Sequence, residues 1–113
     1  VTGDSAHVDH ILECIDWIGR FTAGGRTEFM ADRKTRSAVL RELQTPAEST
    51  QRLSQSLKDA HPQVFWQGIA GFRNVLVHNY LGIDPERVWQ IVQEQLPALR
   101  RAAEAMRQSL APD

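Results

Sequence analysis

An arginine, a histidine and a tyrosine stand close together in Arg73-Asn74-Val75-Leu76-Val77-His78-Asn79-Tyr80, the histidine five residues and the tyrosine seven residues after the arginine. Arginine is a permanent cation whose planar donors match a phosphate. Histidine is the side chain whose ordinary pKa best suits proton transfer near neutral pH. Tyrosine adds a hydroxyl on an aromatic body. Together these residue types are what cleavage of a phosphodiester asks for. Intramolecular attack by an RNA 2′-hydroxyl needs a base for that proton and an acid for the departing 5′-oxygen. It also needs a cation beside the phosphorane charge as it develops. His78 can shuttle a proton and Arg73 can clamp the phosphate. Asn74, one turn before His78, could hydrogen-bond the imidazole or a phosphate oxygen. The hydrophobic residues between them, Val75, Leu76 and Val77, suggest that the motif is anchored in a core.

The elements that must hold these residues read as helices, because three- and four-residue apolar spacing recurs and no strand-like alternation persists. Val8, Ile11, Leu12, Ile15, Ile18 and Phe21 make one stripe from about Asp4 to Thr22, stopped by Gly24-Gly25. A short segment, Thr27 to Ala31, leads to Asp32 as an N-cap. The second main helix carries Val39, Leu40, Leu43, Ala47, Leu53 and Leu57, with a kink or break expected at Pro46. The third runs from Phe65 or Trp66 to Val77, with Ile69, Phe72, Val75 and Leu76 inward. Asp84-Pro85-Glu86 opens the last helix with a cap, a proline at its first position and an acid in its first turn. That helix runs to about Leu110 through Val88, Ile91, Val92, Leu96, Leu99, Ala103 and Met106, bent at Pro97. The expectation is a single all-α domain over 1–113, a bundle of four main helices with the second and last kinked.

On an ideal helix, positions five apart differ by about 140° around the axis. Arg73 and His78 therefore do not share a face of a straight helix. Either the helix ends near Val77 or arginine's length closes the gap. The turn at Gly82-Ile83-Asp84-Pro85 favours the first, with His78 at a helix terminus and the mouth of a groove.

The bulk composition sets bounds. The 113 residues carry 13 basic and 14 acidic side chains, for a net charge of −1. That argues against a basic coat for nucleic acid, while leaving room for a local basic cleft. Arg33, Lys34, Arg36 and Arg41 form one basic cluster, and Arg100, Arg101 and Arg107 another. Both read first as solvated helix faces. No apolar run approaches the ~20 residues that span a bilayer. The start, Val1-Thr2-Gly3-Asp4, lacks the pattern of a signal peptide. The single Cys14 excludes an internal disulfide, and a reducing cytoplasm is the expected setting. His7, His10 and Cys14 have spacing that could line one helix face and bind a metal, but no fourth ligand is near and surface polarity is the preferred reading. Trp17, Trp66 and Trp89 read as core or interface anchors.

The longer pattern Arg73-Asn74-x-Leu76-x-His78-x-Tyr80, followed by Gly82-Ile83-Asp84, resembles the signature of HEPN-superfamily ribonucleases. It is most similar to the HepT-like toxins of prokaryotic toxin–antitoxin pairs. The Asp9–Phe21 helix, Phe29-Met30-Ala31-Asp32, Arg52-Leu53-Ser54, His61-Pro62, Trp66, Val88-Trp89-x-Ile91-Val92 and Leu96-Pro97 also fall where that pattern puts them. The resemblance thus covers nearly the whole chain. One stretch departs from it: Thr45-Pro46-Ala47-Glu48 stands where the family has an uninterrupted helix with a small residue before a glutamate.

The resemblance implies a metal-independent endoribonuclease without a cofactor. It implies a symmetric homodimer that leaves a 2′,3′-cyclic phosphate and a free 5′-hydroxyl on RNA. The family's catalytic arginine and histidine map onto Arg73 and His78. The tyrosine to which a cognate minimal nucleotidyltransferase antitoxin attaches AMP maps onto Tyr80. One chain offers one convincing histidine, so a two-fold dimer would bring a base and an acid into one cleft. A second reading is a non-catalytic HEPN subunit that docks the nucleotidyltransferase, with Pro46 as its main support. A third, a phosphotransfer bundle with His78 as acceptor, wants that histidine exposed in mid-helix. The helix break downstream argues against it.

Overall fold

The apolar stripe of the first helix is buried along its length: Val8, Ile11, Leu12, Ile15 and Ile18 all face the core of a computed structural model that describes residues 3–79 and 82–110. This helix, α1, spans Asp4–Phe21. Its end is closed by Thr22, whose hydroxyl donates to the Ile18 carbonyl at 2.8 Å. Gly25 then takes a φ of 91°, open to glycine at no steric cost, and launches a short α2 over Arg26–Ala31. Phe29 is the buried residue of that turn. Its ring packs against Trp89, centroid to centroid at 5.2 Å.

Asp32 caps the next helix as expected. Its carboxylate accepts from the Lys34 backbone N–H at 3.0 Å and from the Thr35 hydroxyl at 2.8 Å. The Thr35 hydroxyl is the main reason its carboxyl titrates below the usual range. From there α3 runs unbroken over Arg33–Arg52, straight through Pro46. The break expected at the proline does not occur. Proline removes only its own N–H from the ladder. The long packing of α3 against α1, the most extensive helix pairing in the molecule, holds the helix across that gap. The chain breaks instead at Leu53, which is extended, and at Ser54, which caps a short α4 over Gln55–Asp59. Asp4 fixes this point by accepting from the Ser54 N–H at 2.9 Å and its hydroxyl at 2.8 Å.

Trp66 anchors the next connection, its indole N–H reaching the carbonyls of Lys58 and His61 at 3.0 and 3.1 Å. It opens α5, Trp66–His78, which packs chiefly on α3. Asp84 caps α6 by accepting from the Glu86 N–H at 3.0 Å, with Pro85 in the first turn. This last region is two helices, α6 over Pro85–Glu94 and α7 over Leu96–Ser109, where the apolar spacing predicts a single bent helix. Pro97 sits in the first turn of α7, where its missing N–H is no loss, so it starts a helix and does not bend one. The four main helices are therefore α1, α3, α5 and the α6–α7 pair, with α2 and α4 as short connectors and no strand among the described residues.

The core residues named on α1, α3, α6 and α7 lie inside or at the margin of one cluster, except Ile91, which is buried outside it. On α5 the expectation fails in part. Leu76 is buried, but Val75 and Val77 are 42% and 45% exposed. Trp66 and Trp89 pack on the core, whereas Trp17 is largely exposed, stacked on Phe21 with Arg20 over its ring. Cys14 is buried, and burial together with Glu42 raises its thiol from 9.0 to about 11, so it is held as an inert neutral group. Phe29 joins α2, α3 and α6, and truncating it leaves a cavity that these short elements cannot close. Phe29→Ala should lower unfolding free energy by ~3–5 kcal/mol in urea titration.

Candidate active site

Arg73 leaves α5 at the edge facing α3. There its Nε donates to Glu48 Oε1 at 2.9 Å, and its Nη1 donates to Asn74 Oδ1 at 3.2 Å. The ion pair is half-buried, each side chain 36% exposed. Two of the guanidinium nitrogens are thus engaged. Nη2 has no protein partner among the described residues, so the side chain is held in place yet keeps donors for a phosphate. Asn74 is turned towards Arg73 and away from the role of supporting the imidazole.

His78 is the last residue of α5 and is exposed. The helix ends there: Asn79 leaves helical geometry, and its N–H still closes on the Val75 carbonyl at 2.8 Å. The Gly82 N–H donates to the Asn79 carbonyl at 3.1 Å. A Cβ on Gly82 would meet Asn79 Oδ1 at 2.5 Å, so a side chain there would require the exposed Asn79 amide to rotate away. Because α5 is helical from Arg73 through His78, the ~140° between the two positions persists. No hydrogen bond joins Arg73 to His78 within the chain. Val75 and Gly71 fall on the His78 side of the helix, roughly opposite Leu76 and the core. Tyr80 lies outside the described residues.

Two residues of this neighbourhood escaped the sequence. Glu48 is 25 positions from Arg73, beyond any local spacing rule, and the sequence marked it only as the glutamate of the stretch Thr45-Pro46-Ala47-Glu48 that departs from the family pattern. His7, read as surface polarity, is buried. It lines a polar groove of about 570 Å³ between α1 and α3 that also includes His10 and Glu48. Cys14 does not share that groove. No group of three or more potential metal-ligating side chains occurs among the described residues.

An all-α bundle that presents an arginine on one helix edge and a histidine at that helix's end defines the HEPN type of domain. The family described as "Ribonuclease HepT-like" matches residues 11–106, and the chain belongs to that family. It is 33% identical over 102 residues to "Probable ribonuclease HepT" of Thermococcus cleftensis, covering 89% of this chain and 93% of that one. It is 40% identical over 90 residues to a "Putative RNase" of Methanocaldococcus jannaschii, covering 80% of this chain and 72% of that one. No solved structure gives a significant match.

A half-exposed ion pair contributes little to folding. Arg73→Ala and Glu48→Gln should each change unfolding free energy by less than about 1 kcal/mol. A loss of several kcal/mol in Arg73→Ala would mark the arginine as a structural residue and not one kept for chemistry.

Proposed function

We propose that this protein is a metal-independent endoribonuclease toxin acting as a homodimer. The observation that carries the reading is a motif arginine held by Glu48 with a donor still free, near an exposed histidine, in a chain of the HepT-like ribonuclease family. The 2′-hydroxyl of the substrate attacks the adjacent phosphorus while a histidine takes its proton. Arg73 binds the phosphoryl oxygens as negative charge builds on them. The P–O5′ bond breaks, and the leaving oxygen takes a proton from a second acid. The products are a 2′,3′-cyclic phosphate and a free 5′-hydroxyl.

One chain supplies one motif histidine, on a side of α5 away from Arg73. A two-fold partner packed on that side supplies the second. The exposure of Val75, on the same side of α5 as His78, supports this, since an apolar side chain on an uncovered helix side is what a partner would cover. Base and acid then come from the two copies of His78. The non-catalytic alternative, a HEPN subunit that only docks a nucleotidyltransferase, drew on Pro46. Because α3 runs through Pro46 and delivers Glu48 to Arg73, that support is gone.

His78→Ala and Arg73→Ala should each lose RNA cleavage by ~10²-fold or more while retaining helical content and a mass by light scattering of about two chains. Activity should survive EDTA. Near-normal rates in both variants, a strict need for a divalent ion, or an active monomer would overturn the mechanism.

Regulation follows from Tyr80, two residues beyond His78. We place it as the acceptor for a cognate minimal nucleotidyltransferase antitoxin. The tyrosine oxygen attacks the α-phosphorus of ATP, its proton passes to the partner's base, and pyrophosphate leaves. The attached AMP adds negative charge and bulk to the motif and so repels the RNA backbone. Intact mass after incubation with the partner and ATP should rise by one AMP and activity should fall, with Tyr80→Phe resistant to both. AMP on another residue would defeat this proposal.

A further inference from the structure

Four arginines of this protein are neutralised in place. Arg26, Arg100 and Arg107 are paired with Glu86, Asp16 and Asp9, and Arg73 with Glu48. Arg41 and Arg52 differ: they are exposed and have no ion pair or side-chain hydrogen bond among the described residues. Both line the polar groove between α1 and α3, as do His7 and His10. Among the described residues the one acid lining that groove is Glu48, and Arg73 already neutralises it. Arg33, Arg87 and Arg101 also lack an ion pair among the described residues, but of the unpaired arginines only Arg41 and Arg52 line this concave strip.

The strip is also continuous with the candidate active site. Arg41, Thr45, Glu48 and Arg52 recur at four-, three- and four-residue steps and so share one side of α3. Glu48 belongs to both places: one side of it bounds the groove and its Oε1 holds Arg73. Arg41 and Arg52 stand about 16 Å apart along the helix, long enough to meet more than one phosphate of an extended strand. Thr45 and Ser49 line the same wall and can donate hydroxyls to phosphate or ribose oxygens.

We propose that this groove is an RNA-backbone subsite, in which Arg41 and Arg52 bind phosphates flanking the one clamped by Arg73. It rests on the ribonuclease reading and extends it: the enzyme takes a single-stranded segment of several nucleotides, lying along α3. Recognition is of phosphate and sugar: the described residues that line the groove are charged, hydroxyl, amide and imidazole side chains, with no aromatic hydrocarbon ring among them.

The test uses a fluorescent single-stranded RNA methylated at its 2′-oxygens, which binds but cannot be cleaved. Arg41→Gln/Arg52→Gln should weaken its binding and flatten the dependence of log affinity on log salt by about 0.7 for each phosphate no longer neutralised. Arg100→Gln/Arg107→Gln removes equal charge from the paired surface of α7 and should leave the slope unchanged. With cleavable RNA, the groove variant should raise KM for a long strand far more than for a dinucleotide, which fills only the scissile position. Equal salt slopes in the groove variant and the wild type would overturn the proposal, even if the wild type cleaves RNA. So would equal losses in the groove and control variants. Loss of an acidic protein partner with RNA affinity intact would assign the groove to that partner instead. If no RNA is cleaved but the methylated strand binds with the expected slopes, the ribonuclease reading fails while the subsite stands.

Discussion

Everything in this structure hangs on α3 remaining one helix from Arg33 to Arg52. One side of it packs along α1 and another carries α5, so the two long elements meet chiefly through it. Pro46 lies in the middle and is buried, a proline that would break an isolated helix of this length. Burial of Val39, Leu43 and Ala47 against α1 outweighs the one missing backbone bond. That continuity carries Glu48 to the place where it meets Arg73. A break at Pro46 would have turned Glu48 to another direction and left the guanidinium without its positioning partner.

The same helical regularity separates Arg73 from His78 within one chain. Had α5 ended before His78, the imidazole could have folded back towards Arg73. It does not end there, and the two side chains leave the helix well apart. Arg73 is tied to its own bundle through Glu48, whereas His78 looks outward, beside Val75. A helix with this much uncovered apolar surface is well placed to be shared. On the proposed mechanism catalysis depends on assembly: the phosphate clamp is internal to each chain, and the pairing of proton donors is not.

How much of this was legible depended on whether the cause was local. The stripe on α1, the caps at Asp32 and Asp84 and the stop close to His78 follow from neighbouring residues, and all appear where the sequence puts them. The motif itself was legible for the same reason. Pro46 and Pro97 were not, because a proline's effect depends on what surrounds it. Within a packed helix Pro46 was tolerated, and next to a turn Pro97 became a starter. Val75 was misplaced because α5 has one packed side and not a buried circumference. The pairing of Glu48 with Arg73 and the burial of His7 were not legible, since what determines each lies on a different helix.

Glu48 also bears on how the site handles charge. A lone arginine aimed at a phosphate on an open surface samples many rotamers, and holding it still costs entropy at the moment of binding. Pairing Nε with a carboxylate meets that cost during folding and leaves the far side of the guanidinium available. The pairing also cancels part of the positive charge the phosphate would feel. The cations of the α1–α3 groove, which no carboxylate matches, restore it on the same strip of surface. Fixed geometry at the reacting phosphate and free charge along the neighbouring ones are separate requirements, and α3 meets both from one side.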